Sequence, residues 1–212
     1  MTMPDQLRDG YRRFRRGRYQ HEVERYLTLA QGQRPTTMII GCADSRVDPA
    51  TIFAAGPGEL FVVRNVAALV PPYEETGQFH GTSAAVQFAI EGLGIRDIVV
   101  MGHSFCGGVE AALAAATDRP IGRFIRPWVE LLAEARDAML ADPSVSEEPQ
   151  ARQHALESLA VGVSIRNLAT FPFVKAALDK GALRIHGARF SIAAGELQWR
   201  DPETGRFATV EA

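Results

Sequence analysis

Residues 97–108 read DIVVMGHSFCGG and residues 36–46 read TTMIIGCADSR. Each begins as a short apolar run rich in β-branched residues and ends abruptly in a polar turn. Such runs, with no polar alternation, are the pattern of strands buried on both faces. The first predicts a strand over residues 97–101, terminated by Gly102-His103, and the second a strand over 36–41 that ends at Cys42. Residues 59–66 (ELFVVRNV) read as a further strand. Helical signals fill the gaps. Asp48-Pro49 is an N-cap followed by Pro at the first helical position. Gly81-Thr82-Ser83 opens a helix to about residue 93 that carries Ala85, Phe88, Ala89 and Leu93 on one face. Cys106-Gly107-Gly108 leads into an Ala-rich helix ending near Ala116. Strands alternating with helices over short connections imply an α/β fold with a central, mainly parallel sheet flanked by helices.

On the N-terminal side, residues 6–30 read as a helical arm, with Leu7, Tyr11, Phe14, Val23, Tyr26 and Leu27 at helical spacing. Its basic cluster, Arg12, Arg13, Arg15, Arg16 and Arg18, is read as a solvated face or a set of ion pairs to a partner subunit. On the C-terminal side, residues 121–180 are mainly helical, broken at Asp142-Pro143 and Phe171-Pro172. Strands return at 182–185, 189–192 and 196–199, the last two forming an antiparallel edge hairpin around Gly195. No repeat or linker divides the chain. A single domain is expected, with residues 1–35 as its arm and 36–212 as its α/β body.

Composition closes off several function classes. The chain has 212 residues, 23 Lys+Arg against 25 Asp+Glu and 46% hydrophobic residues, which suits one folded domain and excludes disorder for its bulk. Without a basic surplus, nucleic acid is not an expected partner. No apolar run reaches the roughly 20 residues that span a bilayer, so no membrane partner is expected. The first residues lack the apolar core of a secretory signal, and the two cysteines, Cys42 and Cys106, do not make a disulfide framework. A soluble, cytoplasmic protein is the expectation.

The two strand ends carry the chemistry. Ligands of open parallel sheets bind outside the carboxyl ends of the strands. If these two strands are neighbours, the thiols of Cys42 and Cys106 and the imidazole of His103 converge. Three ligands with a fourth direction open is the pattern of catalytic zinc, and thiolates favour zinc over harder cations. Taken singly, each residue reads more simply as core or cap; their coincidence at two strand ends is the signal. Beside a metal, Arg46 would keep Asp44 ionised and free to accept a hydrogen bond from a bound water. Gly107-Gly108 suits a helix N-terminus packed against the site, or simply a tight turn.

These residues resemble the β-class carbonic anhydrases. The likeness rests on Cys42-x-Asp44-x-Arg46 followed by His103-x-x-Cys106-Gly107-Gly108. It extends to Pro57-Gly58-Glu59, residues 61–65 (FVVRN) and Gly81-Thr82. The resemblance implies one zinc ion per chain on Cys42, His103 and Cys106, with Asp44 and Arg46 as the catalytic dyad. It implies reversible hydration of carbon dioxide to bicarbonate and a proton, by attack of zinc-bound hydroxide, in a homodimer or homotetramer. It further implies substrate contacts from Gln33, Phe61, Phe88 and Gly107. A subset of the family switches itself off through a bicarbonate site built from Trp, Arg and Tyr. Ile39, Arg64 and Phe190 stand at those positions here, so the plant-like, non-switching subtype is expected, with Asp44 kept on Arg46.

Three other readings compete. The same site could act on carbon disulfide or carbonyl sulfide, which the retained Gln33 disfavours. A non-enzymatic scaffold would not need Asp44 and Arg46. A redox dithiol lacks the C-x-x-C spacing. Two thiolates cancel the formal charge of a zinc ion, so its water should be less acidic than the pKa of about 7 of a three-histidine site. The hydration rate is therefore expected to climb towards alkaline pH, and a stopped-flow rate flat from pH 6 to 9 would contradict the charge argument.

Overall fold

The structure, a computed structural model, describes residues 3–77, 80–117 and 119–211. They fall into two compact units that divide between Arg34 and Pro35. The first unit holds three helical segments, α1 (Asp5–Arg16), α2 (Arg18–His21) and α3 (Val23–Leu29), where one continuous arm helix was expected. The interruption falls at Gly17, which leaves helical geometry at φ −107° and ψ −102°. Glycine is a poor helix former, and here it lets the chain turn back. Phe14, Tyr19 and Tyr26 then meet with ring centroids 5.1 to 5.9 Å apart, so part of the apolar face buries itself within the arm. Leu7, Tyr11 and Leu27 stay exposed.

The second unit is built on a mixed sheet of six strands: β1 (Thr37–Cys42), β2 (Leu60–Asn65), β3 (Asp97–His103), β4 (Arg184–Ser191), β5 (Glu196–Arg200) and β6 (Phe207–Thr209). Their order is β2-β1-β3-β4-β5-β6. The first four are parallel and the last two pairings antiparallel, as an α/β fold with a C-terminal hairpin requires. The central runs behave as unalternated strands should. Met38, Ile40, Ile98 and Val100 face one core with Val86, Val161 and Leu168. Ile39, Val99, Met101 and Ala188 face the other way.

Helices α4 (Pro49–Ile52), α5 (Gly81–Gln87), α6 (Gly107–Ala114), α7 (Ile125–Val129), α8 (Ala133–Ala141), α9 (Pro149–Leu168) and α10 (Pro172–Asp179) complete the unit. Asp48 caps α4 as expected, accepting the Thr51 N–H at 2.9 Å. The helix opened by Gly81 continues past α5 as a π-helical turn, Phe88–Gly92.

Two strand boundaries differ from the sequence reading. β3 does not stop at Met101 but runs through His103, because β4 continues to pair with it at Gly102↔Arg189 and His103↔Phe190. The two short strands expected at 182–185 and 189–192 are one strand, β4. His186-Gly187-Ala188 has low strand propensity, yet the glycine is retained by packing. A Cβ on Gly187 would come within 2.9 Å of Val161 on α9 and of Arg200. The hairpin around Gly195 is present, and β6 adds a further strand beyond it.

Ile98 lies at the centre of this sheet and is fully buried. Ile98→Ala should cost about 2–5 kcal/mol through lost burial and a residual cavity. Urea unfolding at fixed protein concentration is the check, and a loss under 1 kcal/mol would mean that this core can collapse around the gap.

Candidate metal centre

Cys42 is the last residue of β1 and His103 the last of β3, and these strands are hydrogen-bonded neighbours. Cys106 follows three residues later as the N-cap of α6. The condition set by the sequence reading is therefore met. One ligand atom from each of Cys42, His103 and Cys106 lies within 4.8 Å of the others, and all three residues are buried. The two sulfurs are 3.9 Å apart and the cysteines are free thiols.

The donor chemistry of this group fits a thiophilic cation. The Nδ1–H of His103 donates to the Ser104 carbonyl at 2.9 Å, which leaves the Nε2 lone pair facing inward. That Nε2 is buried and has no hydrogen-bond partner. A buried, unpartnered imidazole nitrogen beside two thiols is costly unless something coordinates it. The Cys106 thiol beside Cys42 favours a thiolate on Cys42 and pushes its pKa well down. The same contact, with burial, pushes Cys106 up, while the amides of Gly108 and Val109 work against it. Burial disfavours a charged His103, but the Cys42 sulfur beside it outweighs that and raises its pKa. Two sulfurs, one of them favoured as the thiolate, thus lie beside an imidazole nitrogen, the donor set that zinc takes.

Asp44 stands beside this group with its nearest carboxylate oxygen 4.0 Å from His103 Nε2. Arg46 holds it there. Its Nε and backbone N–H both donate to Asp44 Oδ1 at 2.9 Å, and its Nη2 donates to Oδ2 at 2.7 Å. These bonds hold the Asp44 carboxyl well below the usual carboxylate range, so it is ionised throughout the neutral range. Arg46 Nη2 also donates to the Phe105 carbonyl at 3.1 Å, which ties the first turn to the second. Phe105 offers that carbonyl from a left-handed conformation, φ +56°.

Arg64 braces the first turn from behind. It donates to the carbonyls of Cys42 and Asp44 and to the Asp48 carboxylate. Asn65 clamps the chain that leaves β2, donating to the Leu69 carbonyl and accepting the Leu69 N–H. Within that clamp Ala67 and Ala68 are both left-handed.

The remaining sequence candidates are placed as follows. Gly107 is the first residue of α6, directly after Cys106. Phe61 and Phe88 meet each other, ring centroids 5.9 Å apart, and Phe61 packs on the Met38 core. Phe61 pairs with Met38, four residues before Cys42, which is about 13 Å along the strand. Within one chain these rings are with each other and not with the cysteines. Gln33 is exposed, in the first unit, shortly before β1. Sequence reasoning missed Glu157 and Arg189, which lie buried behind Cys106. Their signal was a lone carboxylate in the apolar stripe of α9 and an arginine in the buried middle of β4.

A family model described as carbonic anhydrase matches residues 37–197. The chain belongs to the carbonic anhydrase family. Beta carbonic anhydrase 3 of Arabidopsis thaliana is 34% identical over 194 residues, covering 90% of this chain and 74% of that protein. Among solved structures, the β-carbonic anhydrase CcaA superposes with a TM-score of 0.89 at 29% identity, over 98% of this chain and 92% of that one. A structure of tetrameric β-carbonic anhydrases from Sordaria macrospora gives 0.82 at 28% identity, over 95% and 96%. This carbonic anhydrase is thus a zinc-dependent lyase of the β class, which hydrates carbon dioxide reversibly to bicarbonate and a proton.

The close approach of α6 to the site yields a test. A Cβ on Gly108 would lie 2.7 Å from Val66 Cγ1 and 2.9 Å from Ala67 Cβ. Gly108→Ala should therefore push α6 off the loop after β2 and cost roughly 1–3 kcal/mol of stability. A thermal unfolding midpoint equal to wild type would show that the loop yields freely.

Proposed function

We propose that this chain assigns its chemistry as follows. Cys42, His103 and Cys106 hold the zinc, Asp44 and Arg46 form the catalytic dyad, and Gln33, Phe61, Phe88 and Gly107 contact the substrate. One observation carries the reading. A compact buried Cys–His–Cys group has an ionised carboxylate at its edge that a guanidinium holds with both its oxygens engaged. Zinc supplies the Lewis acidity that makes water a nucleophile near neutral pH.

The residues around it orient and select. Asp44, kept ionised by Arg46, is an acceptor only, so it fixes the direction of a water proton and leaves the oxygen lone pair towards carbon dioxide. Because Arg46 donates to both Asp44 oxygens, Asp44 would be held back from ligating a zinc ion on the three residues. This supports the non-switching subtype, as does Arg64, which is committed to Asp48 and two carbonyls. The Gly107 amide, at the start of an eight-residue helix, is an N–H donor for a developing bicarbonate oxygen.

An apolar wall of Phe61 and Phe88 serves this site when a second copy supplies it, since both rings stand away from the cysteines of their own chain. Phe88 is 52% exposed and β2 is an edge strand, both of which suit a homodimer or a homotetramer. The unbridged cysteines suit a cytoplasmic location, where structural disulfides are rare. No helix among the described residues is long and apolar enough to cross a membrane.

The test is stopped-flow hydration with zinc content measured in parallel on wild type, Asp44→Ala and Cys106→Ser. Wild type should carry about one zinc per chain and hydrate rapidly. Asp44→Ala should keep its metal and lose at least about 100-fold in rate, within the range for a positioned proton-handling group. Cys106→Ser should lose both. Stoichiometric zinc without hydration between pH 7 and 9 would overturn the substrate, and full activity in Asp44→Ala would overturn the dyad.

A further inference from the structure

One buried ion pair is used by none of the steps above. Glu157 on α9 and Arg189 on β4 meet at 2.8 Å (Oε2 to Nη2), with side chains only 2% and 4% exposed. Sealing two ions from water is costly, and well-packed apolar residues often fill such a place with no loss of stability. The position of the pair shows what it does. Glu157 Oε1 accepts the backbone N–H of Cys106 at 3.1 Å. That N–H belongs to the N-cap of α6 and has no acceptor within the helix. It follows directly on Phe105, whose left-handed backbone is unfavourable for a bulky residue and persists only where its surroundings hold it.

Arg189 in turn fixes the carboxylate. Its Nη1 donates to Gln198 Oε1 at 3.2 Å and contacts His154 Nε2. Its outer edge lines a cavity of about 310 Å³ shared with Gln150 and Gln153. The guanidinium is therefore anchored on several sides, and both oxygens of Glu157 are satisfied, one by Cys106 N–H and one by Arg189.

We propose that Glu157, locked by Arg189, is a positioning residue for the metal. It holds the Cys106 backbone so that its sulfur stays 3.9 Å from that of Cys42 and both point at one shared ion. The inference rests on the reading that Cys106 is a zinc ligand.

The experiment compares two double variants, neither of which strands a buried charge. Glu157→Leu with Arg189→Leu removes both the ion pair and the acceptor for Cys106 N–H. Glu157→Gln with Arg189→Gln removes the charges but keeps an amide oxygen for that N–H and an amide–amide bond across the pair. Zinc affinity is read by competition with a chromogenic chelator, and ligand geometry from the thiolate-to-metal charge-transfer band of the cobalt-substituted protein. The leucine pair should bind zinc roughly 10- to 100-fold more weakly, the range for outer partners of metal ligands, with a displaced charge-transfer band. The glutamine pair should recover most of the affinity and the wild-type band.

Wild-type affinity and band in the leucine pair would overturn the proposal, as would equal losses in both pairs, which would mark a merely structural role. If the leucine pair does not fold, the same two readouts on Glu157→Ala with Arg189→Gln decide, since that pair strands no charge and restores no fixed acceptor for the Cys106 N–H. Failure of wild type itself to bind one zinc, or undiminished binding in Cys106→Ser, would instead overturn the ligand assignment.

Discussion

The parallel pairing of β1 with β3 sets the distance between two turns whose cysteines are 64 residues apart in the chain. Parallel neighbours end at the same edge of a sheet, so a cysteine that closes one strand and a histidine that closes the next stand at one edge, and there their side chains meet that of Cys106. The register, with Gly41 opposite Met101, brings Cys42 level with Gly102 and leaves His103 one residue beyond it. A slip of one residue would turn every side chain of β1 to the opposite face and remove Cys42 from the group. Burial of Met38, Ile39 and Ile40 resists that slip, because each would exchange one core for the other. The hydrophobic sheet is therefore what fixes a polar site at its edge.

Around that site charge is handled in pairs. Arg46 answers Asp44, Arg64 answers Asp48, and Arg189 answers Glu157. Each guanidinium except that of Arg189 also reaches a carbonyl of one of the two turns. The arrangement separates two tasks. The exposed Arg46 keeps the Asp44 carboxylate ionised and in place, whereas the buried pair acts on backbone. It follows that an arginine-to-lysine change would not be conservative at Arg46 or Arg64, because neither forked geometry can be met by a single ammonium.

Most of the fold was legible because the runs TTMIIG and DIVVM carry the unalternated pattern of strands buried on both faces, and Asp48-Pro49 is a cap with its own local chemistry. The ligand trio was legible for a different reason: both cysteines of the chain fall at strand ends. What escaped the sequence reading depended on distant partners. The extension of β3 to His103 comes from β4, over 80 residues downstream in the register Gly102↔Arg189. The single strand across Gly187 needs Val161 and Arg200 to explain its glycine. The segmentation of the arm at Gly17 follows from ring contacts between Phe14, Tyr19 and Tyr26 that no helical period announces. Glu157 reads as a stray charge in an apolar helix until the Cys106 N–H is seen in front of it.

Helix α9 reaches both borders of the crevice. Near its middle Glu157 holds the Cys106 turn. Further along, the Ser164 hydroxyl donates to the Ala68 carbonyl and accepts the Val70 N–H, and Asn167 donates to the Val70 carbonyl. Two loops from different parts of the chain are thus hung on one 20-residue rod. Loops suspended from a common rod are tied to each other as well as to the strands they leave. The crevice thus has a second support besides the strand pairing, a helix laid across the sheet and packed on it where Val161 meets Gly102 and Gly187.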